Sequence, residues 1–225
     1  MTNDGMTNDE TAQLPRLRSS FVIRHSSFSE ALSADASLPH WAACAPVEFR
    51  EAVGGDVPKQ KTTVRTLWTP TEWRVLFECE DALPWATLTQ RDGLLYTEET
   101  VEVFFDPVGD LESYYEVEVN PLGTELDIVF RRSRSGYKGD WAWDCAGLRT
   151  LARIVPGGWN AELAIPFASV AEVPVNGTRW RVNFCRIDRP SRDNSLPREL
   201  SAWSPPLRES FHTQERFGVL EFQGG

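Results

Sequence analysis

Thr100-Val-Glu-Val-Phe-Phe-Asp106 and Ser113-Tyr-Tyr-Glu-Val-Glu-Val-Asn120 are the two runs whose reading decides the fold. Side chains alternate along an extended segment, so Val101, Val103 and Phe105 take one face while Glu102, Phe104 and Asp106 take the other. In the second run Tyr115, Val117 and Val119 oppose Glu116, Glu118 and Asn120. Paired as neighbours, the two runs gather their polar residues on one sheet face. Tyr96, in the turn-rich stretch Asp92-Gly-Leu-Leu-Tyr-Thr-Glu-Glu99, borders that face. This face is the candidate binding site.

Outward from this pair the same pattern recurs. Extended runs fall at 62–69, 73–80, 125–131, 148–155, 159–165, 180–188 and 217–222, rich in Val, Phe, Tyr and Trp and separated by Pro, Gly, Asn or Asp. Asn120-Pro-Leu-Gly123 and Pro156-Gly-Gly158 carry hairpin-turn chemistry. Trp159, Ala161, Leu163 and Ile165 point one way and Asn160 and Glu162 the other; Trp180, Val182 and Phe184 oppose Arg181 and Asn183. Such strands bury one face and leave the other wet. Only Pro166-Phe-Ala-Ser-Val170 offers a helical turn, with Pro first. Nine short strands of this kind predict an all-β chain, an antiparallel two-sheet β-sandwich.

The chain has 225 residues, enough for one domain with its own core. Residues 1–37 differ from the rest: Met-Thr-Asn-Asp occurs at Met1 and Met6, and Ser-Ser-Phe at Ser19 and Ser26. Short polar repeats predict a disordered N-terminal extension, with an edge strand at Phe21–Ile23 as the alternative, ahead of a domain at 38–225. A net charge of -10 argues against nucleic acid and anionic membranes as partners. No apolar run is long enough to span a bilayer. The polar Met1–Glu10 stretch lacks signal-peptide character, which predicts a cytoplasmic chain; a misplaced start site would instead make it extracellular or periplasmic. Cys44, Cys79, Cys145 and Cys185 lack metal-type pairing and read as buried thiols, disulfides being the alternative in an exported chain.

Candidate chemistry is sparse. Trp68, Trp73, Trp159 and Trp180 lie inside strands and read as core, whereas Trp41, Trp85, Trp141, Trp143 and Trp203 lie near Pro, Gly or Asp and read as loop residues. Tyr96 and Phe211 each sit in a polar segment just before a strand, where an aromatic is a lid or a binding ring. Glu98, Glu99 and Glu102 read as a solvated edge or as the paired carboxylates of a glycosidase. His25, His40 and His212 form no metal spacing, and no nucleophile triad, phosphate loop or HExxH helix is present. No sequence feature argues for an enzyme.

The order Trp73-x-Val-x-Phe, Asp92-Gly, Tyr96, Thr100–Asp106, Tyr115–Asn120, Trp159-Asn-Ala-Glu-Leu-Ala-Ile-Pro166, Trp180-Arg-Val-Asn183, Ser201-Ala-Trp203-Ser and Phe217-Gly-Val-Leu220 resembles carbohydrate-binding module family 9 over residues 38–223. The resemblance implies a jelly-roll sandwich, related to haem-binding DOMON domains, that binds oligo- or polysaccharide chain ends without catalysis. It implies two aromatic rings about a terminal sugar, matched by Tyr96 and Phe211, with Glu102, Asn120 and Asn183 as polar contacts. The chain departs from the pattern in carrying Tyr and Phe where studied members carry Trp. Glu118 replaces an Arg and joins the candidate ligand-binding set. Glu118 and Glu102 then repel one another unless a proton or cation intervenes. Arg186, Arg208 or a calcium ion, which accompanies several modules of the family, would supply that cation. No haem is expected, because Met1 and Met6 are the only Met residues and lie in the tail. A sandwich that has lost sugar binding and serves as an interaction or structural domain is the alternative reading.

Overall fold

The computed structural model describes residues 19–26, 31–193 and 195–224. Its strands are β1 (Ser20–Arg24), β2 (Val47–Glu48), β3 (Arg50–Glu51), β4 (Thr62–Trp68), β5 (Glu72–Glu80), β6 (Thr100–Asp106) and β7 (Ser113–Val119). They continue as β8 (Glu125–Ser133), β9 (Gly136–Asp140), β10 (Arg149–Val155), β11 (Gly158–Pro166), β12 (Arg179–Asp188), β13 (Glu199–Ala202) and β14 (Gly218–Gln223). Two single-turn helices, α1 (Pro39–Ala42) and α2 (Phe167–Val170), interrupt them. Each of the nine runs read as strands is a strand. The short β2, β3, β9 and β13 were not anticipated.

The strands form two sheets. The larger has the order β1-β14-β12-β6-β7-β8-β9, with β13 on β12 and β3 on β13; the smaller has the order β10-β11-β5-β4-β2. All pairs are antiparallel except β1 with β14, which is parallel. Between the sheets lies an apolar layer led by Trp73, Trp159, Trp180, Phe77, Phe105 and Phe184, all buried. The Trp73 ring meets those of Phe105 and Trp180 edge-on at 5.6 Å. Val101, Val103, Val117 and Val119 join this layer, so the face assignment made from alternation holds.

Within the stretch expected as an extension, part belongs to the sandwich. Ile23 is buried, and the Phe21 ring lies 5.4 Å from that of Trp203. Beyond β1, Ser26 N donates to Trp68 O at 2.7 Å, so the chain crosses from the large sheet to the small one. Residues 31–44 then cover the outer face of the small sheet, where Ser33 N and Ala34 N both donate to Glu162 Oε2 at 2.8 Å. Residues 1–18 and 27–30 of the expected extension lie outside the described residues. The polar composition of 1–37 hid this segment because, among its described residues, Ile23 and Ala34 are the buried apolar ones. Cys44, Cys79, Cys145 and Cys185 are free thiols, and all but the half-buried Cys44 are buried.

Trp203, read as a loop residue, follows β13 directly and is buried. A Cβ added at Gly218 would come within 2.5 Å of its ring, so the indole fits only because residue 218 has no side chain.

Candidate functional site

The outer face of the large sheet carries an acidic rung. In the β6–β7 pair Glu102 stands opposite Glu118, and Phe104 opposite Glu116. The three glutamates are buried, with Glu102 Oε1, Glu116 Oε2 and both Glu118 oxygens lacking a hydrogen-bond partner. Burial, reinforced by Glu116, holds the Glu102 carboxyl well above the usual carboxylate range. Burial followed by repulsion from Glu102 and Glu116 does the same to Glu118, and burial raises Glu116 to about 7. A carboxylate that neither water nor a cation reaches holds its proton.

This face is not the open wet platform that alternation suggested. A second apolar layer of Phe104, Tyr114, Leu200, Phe211 and Phe217 covers much of it. What remains is a cavity of about 280 Å³ whose wall includes the three glutamates, Tyr96, Trp141, Phe211, His212 and Arg198.

Local structure explains how each ring reaches the wall. Leu95 is buried against Leu126 and Ile128, and Thr97 Oγ1 donates to Leu94 O at 2.6 Å, closing the turn Leu95–Thr97. Tyr96 is thereby turned outward, 37% exposed. Trp141 follows β9 and is 47% exposed. A Cβ at Gly139 would lie 3.2 Å from the Trp141 Nε1, so the absent side chain there lets the indole lie against the strand. Phe211 differs from both: it is 6% exposed, its ring 6.2 Å from that of Phe104. It floors the cavity rather than offering a free face. His212 Nδ1 lies 3.0 Å from the Tyr114 hydroxyl and 3.9 Å from Glu116 Oε2, on a side chain that is 45% exposed.

Four of the six expected residues, Tyr96, Glu102, Glu118 and Phe211, therefore meet around one cavity. Asn120 and Asn183 do not line it. Asn120 Oδ1 accepts from Leu122 N and Thr124 N, both at 3.0 Å, and its Nδ2 donates to Leu88 O at 2.8 Å. Asn183 exchanges two hydrogen bonds of 2.9 Å with the Ser204 backbone. Both amides are spent on local backbone, a common use of Asn in turns. Glu116 and Trp141 were missed as site residues. Glu116 shared the polar face with Glu118, and Trp141 sat in a Gly-Asp segment of loop character.

Arg186 does not offset the rung. Cys185 is the residue paired with Glu102, so Arg186 points to the opposite side of β12. There its guanidinium donates to Asp81 at 2.7 Å, Asp188 at 3.1 Å and Glu80 O at 2.8 Å. Arg208 is exposed. Asp81, Glu99 and Asp188 also form, among the described residues, a group of acids whose oxygens lie within 4.8 Å of one another. Calcium needs six to eight oxygen ligands, and here a guanidinium already takes two of the three carboxylates. With Arg186 among them, Asp81, Glu99 and Asp188 do not fit a calcium ion. Glu99 stays pushed up to about 9 by burial and by Asp81.

Comparison with known proteins agrees with this architecture. An "extracellular protein" of Arthroderma benhamiae is 25% identical over 191 residues, covering 79% of this chain and 86% of that protein. A candidate carbohydrate-binding protein of Bacteroides uniformis superposes with a TM-score of 0.73 at 18% identity, over 92% of this chain and 100% of that one. A carbohydrate binding module family 9 from Caldicellulosiruptor kristjanssonii, in complex with cellotriose, superposes with a TM-score of 0.65 at 15% identity, over 91% and 95% of the two chains. The same source's module in complex with glucose gives 0.64 at 16% identity, over 91% and 97%. Residues 36–225 match the family described as carbohydrate family 9 binding domain-like. The chain belongs to that family, one of binding domains and not of catalysts.

Proposed function

We propose that the cavity beside the acidic rung binds the terminal unit of an oligo- or polysaccharide. The observation that carries this reading is the conjunction of two exposed rings, Tyr96 and Trp141, with an apolar floor at Phe211 and polar groups at Glu102 and Glu118. Sugar rings have apolar faces and hydroxyl rims, and such a wall complements both. A volume of about 280 Å³ suits one ring better than a continuous chain, which favours an end over the middle of a polymer. In this reading Tyr96 and Trp141 stack, Phe211 supports, and the glutamates take the hydrogen bonds that Asn120 and Asn183 were expected to take. Burying about 100 Å² of apolar surface contributes about 2.5 kcal/mol. After association costs the complex is weak, between about millimolar and micromolar.

Titration calorimetry with short oligosaccharides, beginning with cellotriose and glucose, tests this. Binding that weakens in Trp141→Ala while the melting temperature holds supports it. An absence of heat with every saccharide leaves an interaction or structural role for the sandwich.

A further inference from the structure

Resting on that saccharide reading, we infer that Glu98 and Asn120 are positioning residues: acting through Thr87 and Leu88, they fix the turn that presents the Tyr96 ring to the cavity. Neither side chain lines the cavity itself. Tyr96 stands on a long connection between β5 and β6, residues 81–99, folded about the turn Leu95–Thr97. A connection of that length is costly to order unless something ties it down. Its ring is 37% exposed, so an untethered Tyr96 would add that ordering cost to each binding event.

The tether is a relay of side-chain bonds to backbone, running from the sheet to the turn. At the sheet end Asn120, buried directly after β7, donates from Nδ2 to Leu88 O at 2.8 Å. Thr124 Oγ1 donates to the same oxygen at 2.8 Å. Leu88 N and Thr87 N then donate to Glu98 Oε2 at 3.1 and 2.7 Å, and the Thr87 hydroxyl donates to Glu98 Oε1. Glu98 N in turn donates to Leu95 O at 2.9 Å and closes the turn. The Leu88 side chain packs beside Leu95 against Leu126 and Ile128, so apolar contact follows the same path. Glu98 thus joins the two arms of the connection two residues from Tyr96, and Asn120 joins them to the sheet. Although burial acts the other way, the bonds from Thr87 and Leu88 hold the Glu98 carboxyl below the usual carboxylate range. It therefore works as an ionised acceptor, whose hydrogen bonds are stronger than neutral ones. A ring held in place before the ligand arrives leaves more of its contact energy for affinity.

The test reads two quantities on the full chain: amide hydrogen exchange over residues 95–98, and affinity for cellotriose by titration calorimetry. Glu98→Ala is expected to speed that exchange about tenfold or more and to weaken binding about three- to tenfold, with the melting temperature little changed. Glu98→Gln keeps a carbonyl oxygen for both backbone donors and is expected to restore both readings. Asn120→Asp keeps the acceptor for Leu122 and Thr124 but loses the donor to Leu88 O, and is expected to repeat Glu98→Ala. In a Tyr96→Ala background Glu98→Ala should weaken binding no further, whereas beside Trp141→Ala its effect should persist. Unchanged exchange in Glu98→Ala overturns the assignment. So does a loss of binding that persists without the Tyr96 ring, or exchange that rises across the whole sandwich as the melting point falls. If the wild type does not bind cellotriose or glucose, the saccharide reading falls and exchange alone decides: acceleration confined to the turn upholds the tether on Tyr96, and its absence overturns it. Should Asn120→Asp not fold, the Glu98 variants decide.

Discussion

Glu102 and Glu118 face each other across the β6–β7 pair, buried, with Oε1 of the first and both oxygens of the second unbonded. Opposed like charges destabilise a strand pair, and an unsatisfied buried acceptor costs about 1–3 kcal/mol. Glu118→Gln is therefore expected to raise stability by about 1 kcal/mol or more in the ligand-free protein, since its amide can donate to Glu102. The gain should be no smaller at pH 8 than at pH 5, because any ionisation of the pair adds repulsion to the wild type only. Melting curves of the two proteins at both pH values check this, and a lower melting point for the variant at pH 8 counts against it.

The wild type should itself lose stability as pH rises. Glu102, Glu116, Glu118 and Glu99 all have folded pKa values raised above the ordinary carboxylate value, Glu99 to about 9, and Asp127 and Asp188 are raised to about 6. A raised acid binds more protons folded than unfolded, so its stabilisation is complete below the unfolded pKa and drains away through the folded one. Acids lowered in the fold, Glu48, Glu72 and Glu98, act oppositely and lose their contribution only under more acid conditions. The ligand-free protein is expected to melt highest near pH 5 and progressively lower towards pH 9. A melting temperature that climbs over that interval contradicts the assignment.

Arg186 holds Asp81 and Asp188 inside the protein. Arg186→Met leaves those carboxylates buried without their cation and is expected to cost about 3–5 kcal/mol in denaturant unfolding. Because the guanidinium already serves as the cation, millimolar calcium or EDTA should leave the wild-type melting point unchanged. A calcium-dependent rise would mean that the ion displaces the arginine.

The rings around the cavity should separate by role. Tyr96→Ala and Trp141→Ala are expected to weaken saccharide binding by about 1–2.5 kcal/mol with little change in melting temperature. Phe211→Ala is expected to lower stability by about 3 kcal/mol, because its ring packs on Phe104 within a buried cluster. Similar melting points for Phe211→Ala and Tyr96→Ala would place Phe211 on the surface instead.

Removing residues 1–26 should destabilise the sandwich although the family match begins at residue 36. The truncation strips Ile23 and the Phe21 contact from the core, worth about 2–4 kcal/mol together. Unchanged thermal melts of the chain beginning at residue 27 would show that β1 adds nothing.

Alternation made the heart of the site legible. Val101, Val103, Val117 and Val119 could face only one way, and that alone places Glu102 and Glu118 together. What alternation could not reveal was how the same face is roofed. Phe211 comes from a segment with no periodicity and Phe217 from the first position of the last extended run, and only the three-dimensional path of the chain lays them over Phe104. Asn120 and Asn183 fell on the right face at the right spacing, yet an amide that can bond neighbouring backbone does so, and strand patterns carry no sign of it. Trp141 depends on β9, five residues with two glycines, too weak a signal for a strand.

The Trp203–Gly218 contact carries a consequence for descent. A ring that fills the space of a missing side chain ties two distant positions to one history: neither can change freely while the other stands. In lineages where residue 218 gains a methyl group, position 203 must shrink and the backbone at Ser19, whose oxygen would lie 2.7 Å from the methyl, must draw back in step; any intermediate carrying the methyl beside the indole would be purged. Paired substitution at these two sites across related sequences is therefore the trace this packing should leave in its genealogy.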